Sequence, residues 1–600
     1  MIKRSRGKGE QHDHAQNDSN EGSTMHGGEQ IAGVLQAQGV TQLFTLCGGH
    51  ISPILTGANE RGIRIIDVRD EATAVFAADA IARLSGTPGV AAVTAGPGLT
   101  NTITAIKNAQ LAQSPVVILG GAAPTILKGK GALQDIDQMA LIGPHVKFCK
   151  AVRRVRNLIP VLEQAFRVAR SGVPGPVFVE CPVDLLYDES VIRGWYEHSA
   201  PKGSSLSARF LRTYLNFHLK RQFGNGDEIE PSPPSIDSTG RASEIALVKV
   251  ANKIAVAEKP LLLVGSQAML RAKAAHSLAQ AVEQLGIPVY LSGMARGLLG
   301  NKHPLHMRHK RRVALKESDC VILAGVPCDF RLDYGSHISR RATLISINRS
   351  GRELSINRRP TIGVHGDAGT FLCDLATKTS ITQRSHRAWC DELRNRDNER
   401  EQEIQTDATR ESGFVNPIRL LKSIDGVLDD DSIIVADGGD FVATASYTVR
   451  PRGPLSWLDP GVFGTLGVGA GFAMGAKLAR PQSETWIIYG DGAFGYSLIE
   501  FETFARLNIP VIAVIGNDAG WTQIAREQVK ILNDNVGTVL RHTDYHLAAE
   551  GLGAKGFLLD NPKNIETVLN KAKKAAASGQ PVLINALLGR SSFRDGSVSM

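Results

Sequence analysis

Trp486-Ile487-Ile488-Tyr489-Gly490-Asp491-Gly492-Ala493-Phe494 and, one helical segment later, Pro510-Val511-Ile512-Ala513-Val514-Ile515-Gly516-Asn517-Asp518 decide how this chain folds. Each half is a short apolar run with no polar alternation, which fits a strand buried on both faces, and each closes on glycine and a side-chain oxygen. Strand, turn, helix, strand is a βαβ unit. Its two strands run parallel and finish at one sheet edge, so Asp491 meets Asn517 and Asp518, 26 and 27 residues further on. Carboxylate and amide oxygens converging there suit a hard cation such as Mg²⁺. Gly490 and Gly492 leave backbone N–H groups open to a phosphate. An ordinary βαβ turn with an Asp cap would also read Gly-Asp-Gly, so the argument rests on the paired strand ends.

Working outward, 600 residues exceed what one hydrophobic core usually supports, and several domains are expected. A net charge of +9 over that length suits an anionic substrate. Nucleic acid is not expected, because aromatics are only 6% and no basic stripe interleaves with them. The seven cysteines (47, 149, 181, 320, 328, 373 and 390) form no Cys-x-x-Cys pair, and they read as thiols of a reducing compartment. Residues 1–26 form a polar tail without the apolar core of a signal peptide, and no apolar run is long enough to span a bilayer. A cytoplasmic location follows as the expectation.

Apolar runs alternate with helical periods in three blocks, so the expected fold class is α/β, with three doubly wound parallel sheets. The first block is 27–195, with strands Gln42 to Leu46, Ile63 to Val68, Val90 to Thr94, Val116 to Leu119 and Val177 to Glu180. Between the second and third of these lies an alanine-rich segment, apolar almost all round, that reads as a buried helix started by Glu71. A carboxylate there is explained equally by the helix dipole. Residues 196–243 form a linker with Pro231, Pro233 and Pro234. Within it, Leu206 to Phe223 reads as a basic amphipathic helix. Packing of its apolar face on the rest of the chain is the expectation, with a membrane surface as the alternative.

The second block, 244–376, has strands near Pro260 to Val264, Val289 to Leu291, Cys320 to Ala324 and Thr343 to Ile347. It also carries Arg308-His309-Lys310-Arg311-Arg312, which reads either as a phosphate clamp or as a solvated helix face. Residues 377–412 read as an exposed charged helix and linker, and 413–600 as the third block, with further strands at Ser432 to Ala436 and Val582 to Ala586. Two more loops there suit phosphate, Asp437-Gly438-Gly439-Asp440 and Phe463-Gly464-Thr465-Leu466-Gly467.

Gly490-Asp491-Gly492 with Asn517-Asp518 resembles the diphosphate motif of thiamine diphosphate (ThDP) enzymes, and the three blocks match the pyrimidine-binding, central and diphosphate-binding domains of the acetolactate synthase group. Arg69-Asp70-Glu71-Ala72, Gly96 to Asn101, Gly131 to Asp135 and Gly464-Thr465-Leu466-Gly467 are similar to that family's catalytic-glutamate, glycine-loop, active-site glutamine and Gly-Thr-Met-Gly segments. The likeness extends to its hydroxyacyl-CoA lyase branch through Phe494 to Phe501 and Gly516 to Gln523. It implies that Glu71 hydrogen-bonds the aminopyrimidine, Leu466 bends the cofactor, and Asn101 and Gln134 orient substrate or cofactor oxygens. Gly439, Asp440, Gly464, Thr465, Gly490, Asp491, Gly492, Ala493 and Asp518 would hold the cofactor. Mg²⁺ would sit on Asp491, Asp518 and the Gly520 main-chain oxygen, with Asn517 in reserve, because relatives have Asn where Asp518 stands.

Arg311-Arg312-Val313-Ala314-Leu315 is similar to the Arg-rich helix start of CoA-dependent members, which favours Arg308, Arg311 and Arg312 as contacts for CoA. The implied reaction is cleavage of a 2-hydroxyacyl-CoA to formyl-CoA and an aldehyde one carbon shorter, as in fatty acid alpha-oxidation. The runner-up is an acetolactate synthase-type carboligase acting on 2-keto acids, with an FAD in its middle domain that the first reading does not favour. A non-catalytic binding protein of the same fold comes third. The resemblance further implies a homodimer or homotetramer with sites between subunits, and an association with the endoplasmic reticulum membrane, here by peripheral contact.

Overall fold

The computed structural model describes residues 26–199, 205–224, 230–234, 242–378 and 386–595. Nearly all of the polar tail, the C-terminal five residues and much of the linker lie outside these. Three six-stranded sheets form, every pairing parallel. The first contains β1 (Gln42–Thr45), β2 (Arg64–Asp67), β3 (Gly89–Val93), β4 (Val116–Ala122), β5 (Cys149–Ala151) and β6 (Val177–Pro182), ordered β2-β1-β3-β4-β6-β5. The central sheet has β7 (Pro260–Val264), β8 (Val289–Leu291), β9 (His306–Met307), β10 (Cys320–Ala324), β11 (Thr343–Asn348) and β12 (Ile362–His365), ordered β12-β11-β10-β7-β8-β9. The third has β13 (Ile433–Asp437), β14 (Trp457–Leu458), β15 (Thr485–Gly490), β16 (Ile512–Asn517), β17 (Lys555–Leu559) and β18 (Val582–Leu587), ordered β14-β13-β15-β16-β18-β17.

The first and third sheets therefore share one topology, and the central one differs. In the third, the chain winds outward from β13 to β14, then returns to place β15 on the other side of β13. The gap between β13 and β15 is the switch point, where open α/β sheets bind ligands beyond their carboxyl ends. Asp437 is paired with Tyr489 at that edge, so the loops 438–440 and 490–493 leave side by side.

The helix Glu71–Ser85 starts where expected. Asp70 caps it by accepting from the Ala72 N–H at 2.7 Å, and Gly86 ends it in the left-handed region. It buries nearly every side chain, partly against helix Gly469–Ala479 of the third domain. The two backbones come close because Gly471 and Gly475 present no side chain: a Cβ on Gly475 would lie 2.4 Å from the Ala77 carbonyl oxygen. Phe76 and Phe472 meet edge to face at 5.9 Å beside that seam.

Two helices depart from expectation. In Leu206–Phe223 the chain buries Ala208, Leu219 and Gln222, whereas Leu206, Phe210, Tyr214 and Phe217 face outward. Gln222 explains the choice of face: its Nε2 donates to Asp184 Oδ2 (2.7 Å) and Thr125 Oγ1 (2.6 Å). The charged helix Arg387–Ala408 is not merely exposed. Trp389, Cys390, Leu393 and Ile404 are buried, and Trp389 donates to the Pro260 carbonyl at 3.1 Å. Among the described residues no helix is long and apolar enough to cross a membrane.

Candidate active site

Three loops at the switch-point edge of the third sheet enclose a cavity of about 670 Å³. They are 438–440 after β13, 464–466, and 490–493 after β15; Asp518 and 520–524 close the far side. Gly438 and Gly439 both have positive φ, 63° and 95°, a turn that side chains disfavour. This lets the Gly438 carbonyl accept from the Gly490 N–H at 3.0 Å and tie two loops together. Leu466 lies against Gly438, where a Cβ would come within 2.3 Å of its Cδ2. Asp437 holds the third loop from beneath, accepting from Gly467 N (3.1 Å) and Gly469 N (2.8 Å). Its complete burial pushes the carboxyl up to about 7, against the pull of those two N–H groups.

Asp491 Oδ1 accepts from Gly492 N at 2.8 Å and Oδ2 from Gly520 N at 3.1 Å. Burial and then the negative charge of Asp518 raise its carboxyl to about 7. Asp518 is raised too, first by burial and then, among the raising influences, by Asp440. Carboxylates brought together in a buried place, Asp491 penalised by Asp518 and Asp518 by Asp440, are complementary to a small divalent cation, and oxygen donors suit Mg²⁺. Asn517 does not join them. Fully buried at the end of β16, it donates to the Thr543 carbonyl (3.2 Å) and to Asn585 Oδ1 (3.0 Å), and it does not line the cavity. Asp440 lines the cavity but is also paired with Arg526 at 2.7 Å.

The other expected residues gather in the first domain. Glu71 is buried at the helix start, and Asn101 Nδ2 donates to its Oε2 at 3.0 Å, so the carboxylate is partnered rather than lone. Gly98 packs beside it: a Cβ there would come within 2.8 Å of Thr94 Cγ2, while Glu71 Oε1 lies at an ordinary contact distance of 3.5 Å. Gln134, itself at φ 61°, presses its carbonyl onto Gly96 of the same glycine loop. Glu71, Asn101 and Gln134 thus belong to one neighbourhood. None of them lines the cavity of Asp491 in its own chain.

The basic cluster divides. Arg308 is spoken for, donating to Glu401 (2.9 Å) and to the Tyr447 and Val449 carbonyls (2.8 and 3.2 Å). Arg311 and Arg312 line a second cavity of about 430 Å³ with Lys310, Arg400 and no carboxylate. Sequence reading passed over Arg296, which lines both cavities. Its guanidinium is half-buried, lies 5.2 Å from the Trp457 ring centre and donates to the Ser446 carbonyl at 3.0 Å, and its Nε has no acceptor. Asp437 was also passed over as a site residue. Its place directly before Gly438-Gly439 was the available signal; for Arg296, in an unremarkable Met-Ala-Arg-Gly run, there was none.

Comparison with known proteins agrees with this geometry. Residues 25–141 match the thiamine pyrophosphate enzyme N-terminal TPP binding domain, 247–375 the central domain and 437–586 the C-terminal TPP binding domain. The chain is 53% identical over 586 residues to 2-hydroxyacyl-CoA lyase 2 of Bos taurus, and 51% identical to that of Homo sapiens, covering 96% of this chain and 92% of each relative. It is 33% identical over 566 residues to a probable acetolactate synthase of Mycobacterium bovis, covering 94% of this chain and 96% of that protein. With a switch-point cavity built from the loops that bind diphosphate in such proteins, and likeness along almost its whole length, the chain belongs to the thiamine pyrophosphate enzyme family.

Proposed function

We propose that this protein is a ThDP- and Mg²⁺-dependent carbon–carbon lyase that splits a 2-hydroxyacyl-CoA into formyl-CoA and an aldehyde one carbon shorter. The observation that carries the choice of a thioester over a free keto acid is the carboxylate-free basic cavity, joined to the cofactor cavity through Arg296. A keto acid is spent within a few ångströms of the reacting carbon. A CoA thioester extends a chain of phosphates away from it, which Arg311, Arg312 and Lys310 suit. The relatives named 2-hydroxyacyl-CoA lyase 2 support the same reading.

Asp491, Asp518 and the Gly520 main-chain oxygen would hold Mg²⁺, and the N–H groups of loops 438–440 and 490–493 would face the diphosphate. When bound, the cofactor supplies an electron sink for the pair released as the bond beside the 2-hydroxyl breaks. Glu71 would share a proton with N1′ of the aminopyrimidine, and the Asn101 amide fixes the carboxylate for that contact. Leu466, seated on Gly438, supplies an apolar shoulder inside the cavity. Gln134 would orient the substrate hydroxyl.

Glu71 and Asp491 do not share a cavity within one chain, which supports sites completed between subunits of a homodimer or homotetramer. Activity assays with 2-hydroxyacyl-CoA and with pyruvate test the reaction: formyl-CoA release is expected, and its absence in the presence of ThDP and Mg²⁺ refutes the lyase. Mixing inactive Glu71→Gln and Asp491→Ala chains tests the assembly. Partial recovery of turnover is expected from mixed oligomers that contain one intact site.

A further inference from the structure

We infer that helix Leu206–Phe223 is a docking surface for an anionic lipid bilayer. Leu206, Phe210, Tyr214 and Phe217 are 85%, 78%, 47% and 66% exposed. At 100° per residue these four fall within an arc of roughly 80°, and the buried Ala208, Leu219 and Gln222 lie on the opposite side. The helix therefore has one face seated on its own domain and a second apolar face turned to the outside. All four outward residues are large and three are aromatic, side chains that gain most from leaving water.

Charge selects the occupant. The helix carries Arg209, Arg212, Lys220 and Arg221 and no Asp or Glu. Arg209 and Lys220 flank the apolar arc and Arg221 falls within it, all three exposed. Apolar and aromatic side chains bordered by cations are what an interfacial helix presents to lipid headgroups. A second copy of the chain fits poorly, since apposing two such helices would bring six cations together around the two apolar stripes. Each stripe offers roughly half of the ~800 Å² per partner that a stable protein interface buries.

The position of the helix gives docking a use. His218, Arg221 and Gln222, in its last two turns, line a cavity of about 920 Å³ together with Lys128, Gly129 and Asp135, which flank Gln134. A bilayer under the helix would set the segment carrying Gln134 near the lipid surface; this link to substrate, unlike the docking itself, rests on the proposed reaction.

Sedimentation of the full-length protein with phosphatidylcholine vesicles, alone or containing phosphatidylserine, tests the inference without reference to activity. Retention by the phosphatidylserine vesicles that weakens with added salt is expected, and the Phe210→Ser/Phe217→Ser variant should lose it by at least about tenfold. Arg209→Gln/Arg221→Gln should lose the preference for phosphatidylserine. The substituted side chains are exposed, so melting temperatures should not move. Failure of the wild type to sediment overturns the inference. So does equal retention of the serine variant, which would hand binding to Lys3, Arg4, Arg6 and Lys8 of the tail. A change in oligomer mass of the serine variant by light scattering also overturns it, since the face would then join subunits or another protein chain.

Discussion

Asn517 and Asp518 are adjacent, yet only Asp518 lines the cavity of Asp491, and two alanine substitutions test the division of tasks proposed for them. Asn517→Ala removes a fully buried amide whose Nδ2 donates to Asn585 Oδ1 at 3.0 Å and the Thr543 carbonyl at 3.2 Å. Asn585 Nδ2 also donates to that carbonyl at 2.9 Å, so the Thr543 oxygen keeps a partner and only Asn585 Oδ1 is orphaned. One unsatisfied buried acceptor costs about 1–3 kcal/mol and the small void about 1 kcal/mol, but the substitution also removes Asn517 Oδ1, a buried acceptor that has no partner, which offsets part of that cost. The expected outcome is a destabilisation of about 1–2 kcal/mol, read as a lower melting temperature of the metal-free protein, with the Mg²⁺ concentration needed for half-maximal activity unchanged. Asp518→Ala should do the reverse. It removes a negative charge that raises Asp491, so the metal-free protein should melt no lower than wild type, while the Mg²⁺ requirement rises by at least about a hundredfold. Thermal melts and Mg²⁺ titrations on both variants decide it. If Asn517→Ala alone raised the Mg²⁺ requirement as much as Asp518→Ala while its melting temperature held, the assignment would be refuted.

Gly492→Ala should weaken cofactor binding by at least about tenfold, because a Cβ would lie 2.5 Å from the Trp521 ring, which itself lines the cavity; ThDP titration by fluorescence quenching checks this. Gly475→Ala gains about 1 kcal/mol of helix propensity but places a Cβ 2.4 Å from a backbone oxygen that no rotamer change can move. A net destabilisation of about 1–3 kcal/mol is expected from thermal melts, and unchanged stability would show the two helices free to slide apart. Burial alone would raise the Glu401 carboxyl, but the His309 hydrogen bond and the charges of Arg308 and Arg450 outweigh it and hold the group at about 2. Its folded value lies below the ordinary one, so its contribution is present above pH ~4.5 and lost as pH falls toward ~2. The shift corresponds to at most about 3 kcal/mol, less what burial of Arg308 costs. Stability of Glu401→Gln measured by denaturation at pH 6 and pH 3 should differ less than that of the wild type.

The interior of each sheet could be read from the sequence, and of the six edges only β2, expected as Ile63 to Val68, could. Every expected strand is present within a few residues, since a strand buried on both faces is a continuous apolar run such as Val90 to Val93 or Cys320 to Ala324. The strands that went unseen are Cys149–Ala151, His306–Met307, Ile362–His365, Trp457–Leu458 and Lys555–Leu559, and all five are sheet edges. An edge strand is short and partly solvated, so Cys149-Lys150-Ala151 carries no apolar run to notice. At the site, loops with glycines and acids at strand ends were visible because backbone approach and metal binding restrict residue type. Arg296 was not, because its role comes from tertiary burial beside Trp457, which leaves no local pattern. The outward Phe210 and Phe217 were misjudged for a related reason: helical periodicity reports that an apolar stripe exists, and here the helix has a second, weaker one, fixed to the protein by Gln222, that takes the inward place.

The shared topology of the first and third sheets sharpens what distinguishes their two sites. In both, the third strand in sequence order leads into a glycine loop beside the switch point: Thr94 to Asn101 after β3, and Gly490 to Ala493 after β15. Around the second loop the chain gathers Asp437, Asp440, Asp491 and Asp518, with backbone N–H groups aimed at the carboxylates. Around the first it sets the buried carboxylate Glu71, at the start of an almost wholly apolar helix, beside the amides Asn101, Gln134 and Gln138. The proposed function assigns the second edge to cation and phosphate, and the first to a neutral aromatic ring that shares a single proton. A ligand with those two unlike ends needs both edges at a fixed separation, and the close contact of helices Glu71–Ser85 and Gly469–Ala479 at Gly471 and Gly475 is the device that fixes it. Glu71 does not line the cavity of Asp491 in its own chain, so in the proposed assembly that seam would set where each half-site is offered to a second chain.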